Sequence, residues 1–146
     1  YSEKWINERM RSIEMRKELT DEWQRAGIHE QKDFAILTNI LTKAWSGMTT
    51  GEYKRHKGLT KENLRDNMTN VELALNTLAE VTATEISRQR NPKGMAQSSQ
   101  TAREGGEVAR NARADIESRI GRSVISSKRA LDYIHPIEDT KAKELE

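Results

Sequence analysis

The sequence predicts an all-α fold, about six helices in a compact bundle with no significant β-sheet. Three observations carry that expectation. Proline occurs only at Pro92 and Pro136. Apolar residues recur at three- and four-residue spacing over long stretches, and glycines fall between those stretches as helix stops. Alternating apolar and polar residues, the mark of a half-buried strand, are nearly absent.

The first helix is expected from about Glu3 to Ala26, carrying Trp5, Ile6, Met10, Ile13, Leu19 and Trp23 with one wider step among them. Gly27 follows, a residue that tolerates the positive φ with which many helices end. A second helix is expected over Gln31–Ser46 through Phe34, Leu37, Leu41, Ala44 and Trp45, and Gly47 stops it. The short loop between the two makes them antiparallel. Thr49-Thr50-Gly51-Glu52 reads as a capping box and opens a short helix through His56, ended by Gly58. Thr60 is expected to cap a turn over Lys61 to Asn67. A second capping box, Thr69-Asn70-Val71-Glu72, opens a helix to about Gln89 with Val71, Leu75, Leu78, Thr82 and Ile86 as its inward stripe. Asn91-Pro92-Lys93-Gly94 breaks it. Residues 95–101 read equally as loop or helix. From Ala102 a long helix is expected, with Val108, Ala112, Ile116 and Ile120 on the core side and Gly121 at its end. Glycine costs a helix interior up to about 1 kcal/mol, so Gly105-Gly106 predicts close backbone packing against another helix, with a kink or a partner's contact surface as the alternative. Val124 and Ile125 form a short tether, and Ser127 is expected to cap a last turn to Tyr133. Residues 1–134 make one domain and 135–146 a charged tail.

The chain has 146 residues, 34% hydrophobic and 33% charged, which predicts a thin core and broad charged faces. Tyr1 in place of an initiator Met, and a closing Leu145-Glu146 pair of the kind left beside a purification tag, predict an excised C-terminal domain of a longer protein. The absence of cysteine excludes disulfides, thiolate metal sites and thiol nucleophiles. No apolar run approaches the ~20 residues that span a bilayer, so a cytoplasmic protein without membrane contact is expected.

Catalytic patterns do not assemble. His29, His56 and His135 stand far apart, and His29-Glu30 lacks the second His of a zinc-protease motif because Asp33 occupies that position. The carboxylates on the helices have Lys or Arg three or four residues away, the spacing of solvated ion pairs. No phosphate-loop or nucleophile-elbow spacing is present. The chain is expected to be no enzyme and to need neither cofactor nor metal.

Charge distribution says more than the net charge of +2. Residues 87–129 hold ten basic residues against four acidic ones. Arg103, Arg110 and Arg113 share one face of the long helix and form the expected partner-binding surface, joined by the turn of Lys57, Leu59 and Lys61. Gly51 to Met68 fits a helix-turn-helix poorly, because Lys54 and Lys57 fall where small or buried residues belong. Trp5, Trp23 and Trp45 are expected as core anchors, with Trp5 also a candidate contact to a partner or a preceding domain.

Several short motifs in a fixed order resemble the C-terminal region of the DNA-damage-inducible protein D family, a region also joined to Bro-type amino-terminal domains in prophage antirepressors. The residues are Ala26-Gly27 before Asp33-Phe34-Ala35-Ile36, then Lys57-Gly58-Leu59, Asn67-Met68-Thr69 with Glu72-Leu73-Ala74, and Thr82-x-Thr84-Glu85. Gly105-Gly106-Glu107-Val108-Ala109-Arg110 follows, before Ile116. The resemblance runs from about Arg9 to Ser127 and departs from the family pattern at the Gly-Gly pair and beyond Gly121. It implies a bacterial or prophage protein of the DNA-damage (SOS) response that acts through protein contacts, with RecA or a phage repressor as partner. Nucleic-acid binding by the same basic face is the alternative, and self-association through the Gly/Ala face of the long helix is a further expectation.

Overall fold

Ser2 accepts a hydrogen bond from the Trp5 amide at 3.1 Å and starts α1, Glu3–Arg25, in the computed structural model, which describes residues 1–132. Gly27, at φ +97°, turns the chain toward α2, Gln31–Ser46, and Gly47 ends α2 in the left-handed conformation. Both expected capping boxes are formed. Thr49 and Glu52 bond each other's backbone at the start of α3, Thr50–His56. Thr69 and Glu72 do the same at the start of α4, Asn70–Arg90. Between α3 and α4 lies a 3-10 turn, Arg65–Asn67, and its cap is not Thr60. Asn63 Oδ1 accepts from the Arg65 amide at 2.9 Å, while the Thr60 amide donates to Glu62.

The last helix, α5, runs Gly94–Ile120 and therefore includes residues 95–101. Asn91 ends α4 at φ +53°, and the Gly94 amide donates to the Ala26 carbonyl at 2.8 Å, which fastens the start of α5 to the end of α1. A final turn begins at 130–132, with the Asp132 carboxylate, not Ser127, accepting from the Arg129 amide. The expected continuation to Tyr133, His135 and the 135–146 tail lie outside the described residues. Among those residues there is no strand.

Helix α4 is the centre of the bundle, packed on α1 along one side and α5 along another, and α5 also packs on α2. The two glycines of α5 make both approaches possible. A Cβ on Gly105 would meet the Ala79 carbonyl oxygen of α4 at 2.6 Å, and one on Gly106 would meet Ala44 of α2 at 2.5 Å. Neighbouring glycines thus serve two different partners. The face proposed above for self-association is consumed inside the chain.

The core gathers Leu19, Trp23, Leu37, Leu41, Trp45, Tyr53 and Leu73, with the small residues Ala79, Ala83, Ala102 and Ala109 where helices approach closely. The expected stripes of α4 and α5 are met in part, with Leu75 buried and Leu78, Ala112 and Ile116 packed against the core. Val71 on α4 and Val108 and Ile120 on α5 are exposed. Beside Leu73, Leu75, Ala79 and Ala83, α4 turns inward a polar seam of one residue per turn: Glu72, Asn76, Glu80, Thr84 and Ser87, all buried. On α1, Leu19 and Trp23 are buried, whereas Ile6, Met10 and Ile13 are 45%, 59% and 56% exposed.

Candidate functional site

The polar seam consumes charge that sequence reasoning assigned to the surface. Glu72 lies fully buried where α3, α4 and residues 126–128 converge. Lys57 Nζ sits 2.9 Å from it, with both side chains wholly excluded from solvent, and the Tyr53 hydroxyl donates to the same carboxylate. The ammonium also donates to the carbonyls of Ser126, at 2.8 Å, and Lys128, at 2.7 Å. Burial pushes the Lys57 pKa down, against the pull of Glu72, and pushes the Tyr53 phenol up, with Glu72 adding to the rise. The arrangement is a clamp: one cation fastens the end of α3, the start of α4 and the strap beyond α5.

Two turns along the seam, Glu80 takes a bidentate pair from Arg65, at 2.9 and 2.6 Å, and lies 3.6 Å from Arg16. Asn76 accepts from the Trp45 indole N–H at 3.1 Å. Farther on, Ser87 donates to Glu22 at 3.1 Å. Every carboxylate in the seam therefore has a partner, as burial demands.

Each expected site residue can now be located. Lys57 and Leu59 are buried, the first in the clamp and the second in the core, so neither faces a partner. Arg113 bonds Glu117 at 3.0 Å and the Ser46 carbonyl at 2.8 Å, which caps the C-terminal end of α2. Its charge too is engaged within the fold. Lys61, Arg103 and Arg110 are exposed, and among the described residues the Arg103 guanidinium reaches only Gln100, at 3.1 Å. Arg103 and Arg110, two turns apart, have no carboxylate partner among the described residues. Trp5 is half-buried: its indole N–H donates to the Met68 carbonyl at 2.8 Å and its ring stacks on Tyr1 at 3.9 Å. Trp23 and Trp45 are core anchors.

Two surface features were not foreseen. An apolar groove of about 630 Å³ opens between the start of α1, the 3-10 turn and the start of α4, walled by Trp5, Met68 and Val71. The row Ile6, Met10 and Ile13 stands free on α1. A signal for the row existed. The wider step from Ile13 to Leu19 turns the helix by about 240° beyond a full revolution, so the two sets never shared a face. Continuing the row from Ile13 leads to Lys17 and Thr20, not to Leu19.

Among the described residues no group of three His, Asp or Glu side chains is placed to hold a metal. None of the described helices is long and apolar enough to cross a membrane. Residues 2–134 match the family of the DinD C-terminal domain. The chain belongs to that family. No curated protein and no solved structure matches it. The DinD C-terminal match spans the whole described fold, including the clamp and the seam, and joins the chain to a family of DNA-damage-inducible proteins.

Proposed function

We propose that this domain is a non-enzymatic protein-interaction module of a DNA-damage-inducible or prophage antirepressor protein, cytoplasmic in a bacterium, that modulates the SOS response by holding a partner such as RecA or a phage repressor. The observation that carries the reading is the free row of Ile6, Met10 and Ile13 on three successive turns of α1. Apolar side chains grouped on a surface mark sites of protein contact, whereas scattered ones do not. Arg103, Arg110 and Lys61 supply charge that the fold leaves unused, which steers a partner and sets its orientation. The DinD family supplies the connection to DNA damage. Pull-down of RecA or a phage repressor with the domain tests the reading, alongside an SOS reporter in cells expressing it. Retention of one of these partners and a changed reporter are expected; no retention and an unchanged reporter defeat the proposal.

A second reading is favoured by the missing carboxylate partners of Arg103 and Arg110: the same arginines contact nucleic-acid phosphates. That reading requires affinity that falls steeply with salt. A gel shift at low salt without a complex removes it.

A further inference from the structure

A second cavity, of about 330 Å³, opens between α2, α3 and residues 61–65, with Met68 shared between it and the groove at Trp5. Its lining is rich in donors that nothing in the fold uses. Lys54 and Lys61 line it, and their ammonium groups make neither an ion pair nor a hydrogen bond among the described residues. Thr42 lines it while being only 4% exposed. Thr38 and Thr84 return their hydroxyls to the carbonyl four residues back on their own helices. The Thr42 hydroxyl makes no such bond and has no other partner among the described residues, so the cavity wall carries an unengaged hydroxyl. Thr50 brings a second unengaged hydroxyl. Asn63 spends its carbonyl oxygen on the Arg65 amide and keeps its NH2 group.

The charges decide the ligand class. Arg65 borders the cavity, but its guanidinium is neutralised by Glu80. The nearby carboxylate, Glu62, accepts from the Thr60 amide at 2.7 Å, and local backbone N–H groups hold its carboxyl below the usual range. The two lysines therefore outnumber the acid. Two ammoniums, two hydroxyls and an amide suit a group with three acceptor oxygens and a charge of about −1.5 to −2, which describes a phosphate monoester better than a carboxylate. The volume is at the lower end of small-ligand sites. We propose that this cavity binds the terminal phosphate of an anionic ligand, with Lys54 and Lys61 supplying charge and Thr42 and Thr50 donating to the phosphate oxygens.

Calorimetric titration of the full chain with inorganic pyrophosphate at low ionic strength tests the site. One-site saturable binding is expected, weakened about tenfold by Lys54→Ala with Lys61→Ala. Thr42→Val, checked for an unchanged melting temperature, weakens it about threefold, the loss of one donor. Lys17→Ala with Arg119→Ala leaves it unchanged, because those residues lie outside the cavity. Two further arms identify the source of the phosphate. Competition by a nucleoside monophosphate points to a free nucleotide. Preference for a 5′-phosphorylated oligonucleotide over its unphosphorylated twin points to a strand end. Absence of saturable pyrophosphate binding, or binding indifferent to Lys54 and Lys61, overturns the proposal. None of these measurements involves a protein partner, so the outcome is separate from that of the interaction reading.

Discussion

Lys57 and Glu72 illustrate how a charged pair can be part of a core. Removing one member of a buried pair leaves the other without compensation, at a cost of about 3–5 kcal/mol. Lys57→Met is therefore expected to lower stability by that amount in urea unfolding. Replacing both residues, Lys57→Met with Glu72→Leu, should cost less than the two single changes added together. The double-mutant cycle checks this, and strict additivity would count against the clamp. Glu117 makes the pH prediction. Burial works to raise its pKa, but the Val124 amide, at 2.9 Å, and Arg113 outweigh it and hold the carboxyl below its ordinary value of 4.5. A carboxylate whose folded pKa lies below its unfolded value stabilises the fold above the unfolded value and loses that contribution as the pH falls through the folded one. Glu117→Gln should thus cost about 1 kcal/mol near neutral pH. That difference should shrink as the solution is acidified below 4.5, measured by urea unfolding across the range.

At the scale of helices, the Gly105-Gly106 pair sets how closely α5 approaches α4 and α2. Gly106→Ala puts a methyl group 2.6 Å from the Leu41 carbonyl oxygen, and Gly105→Ala puts one 2.7 Å from Ala83. Each should destabilise by about 1–3 kcal/mol through overpacking. Gly51→Ala in α3 is the contrast: the nearest atom would be the end of the Arg55 side chain at 3.6 Å, so the change should stabilise by up to about 1 kcal/mol. Thermal melts of the three variants separate close packing from intrinsic helix propensity. Helix boundaries were largely legible, because caps are short-range chemistry. Thr49 with Glu52, Thr69 with Glu72, and the stop of α2 at Gly47 follow from residues within a few positions of each other. The inward face of α4 was legible only in part. Apolar spacing placed Leu75 and Leu78 inward but also Val71, which is exposed, and it missed the polar seam, where Lys57, Arg65 and Arg16 meet Glu72 and Glu80 from elsewhere in the chain. The start of α5 was hidden for a related reason. Ser98, Thr101 and Ala102 are buried because they are small enough for close approach, and small polar residues resemble a loop in sequence.

For the molecule as a whole, a composition of 34% hydrophobic residues makes a thin apolar core. The bundle thickens it with a paired polar seam and draws several expected surface groups inward. Lys57, Leu59 and Arg113 went to the fold; Lys61, Arg103 and Arg110 stayed outside. The sequence could not sort the cations among them, because whether a lysine is wrapped or free depends on carbonyls and carboxylates brought from distant positions, as Ser126 and Lys128 are to Lys57. What the bundle leaves unburied is the row on α1, and the proposed function rests on it. The direct measurement is the affinity of the domain for RecA or a phage repressor, compared between wild type and Ile6→Ser with Met10→Ser and Ile13→Ser. These side chains are exposed, so the melting temperature should change little. Loss of binding by about tenfold or more at an unchanged melting temperature is the expected result. Equal affinity of the two proteins for a bound partner would contradict the account.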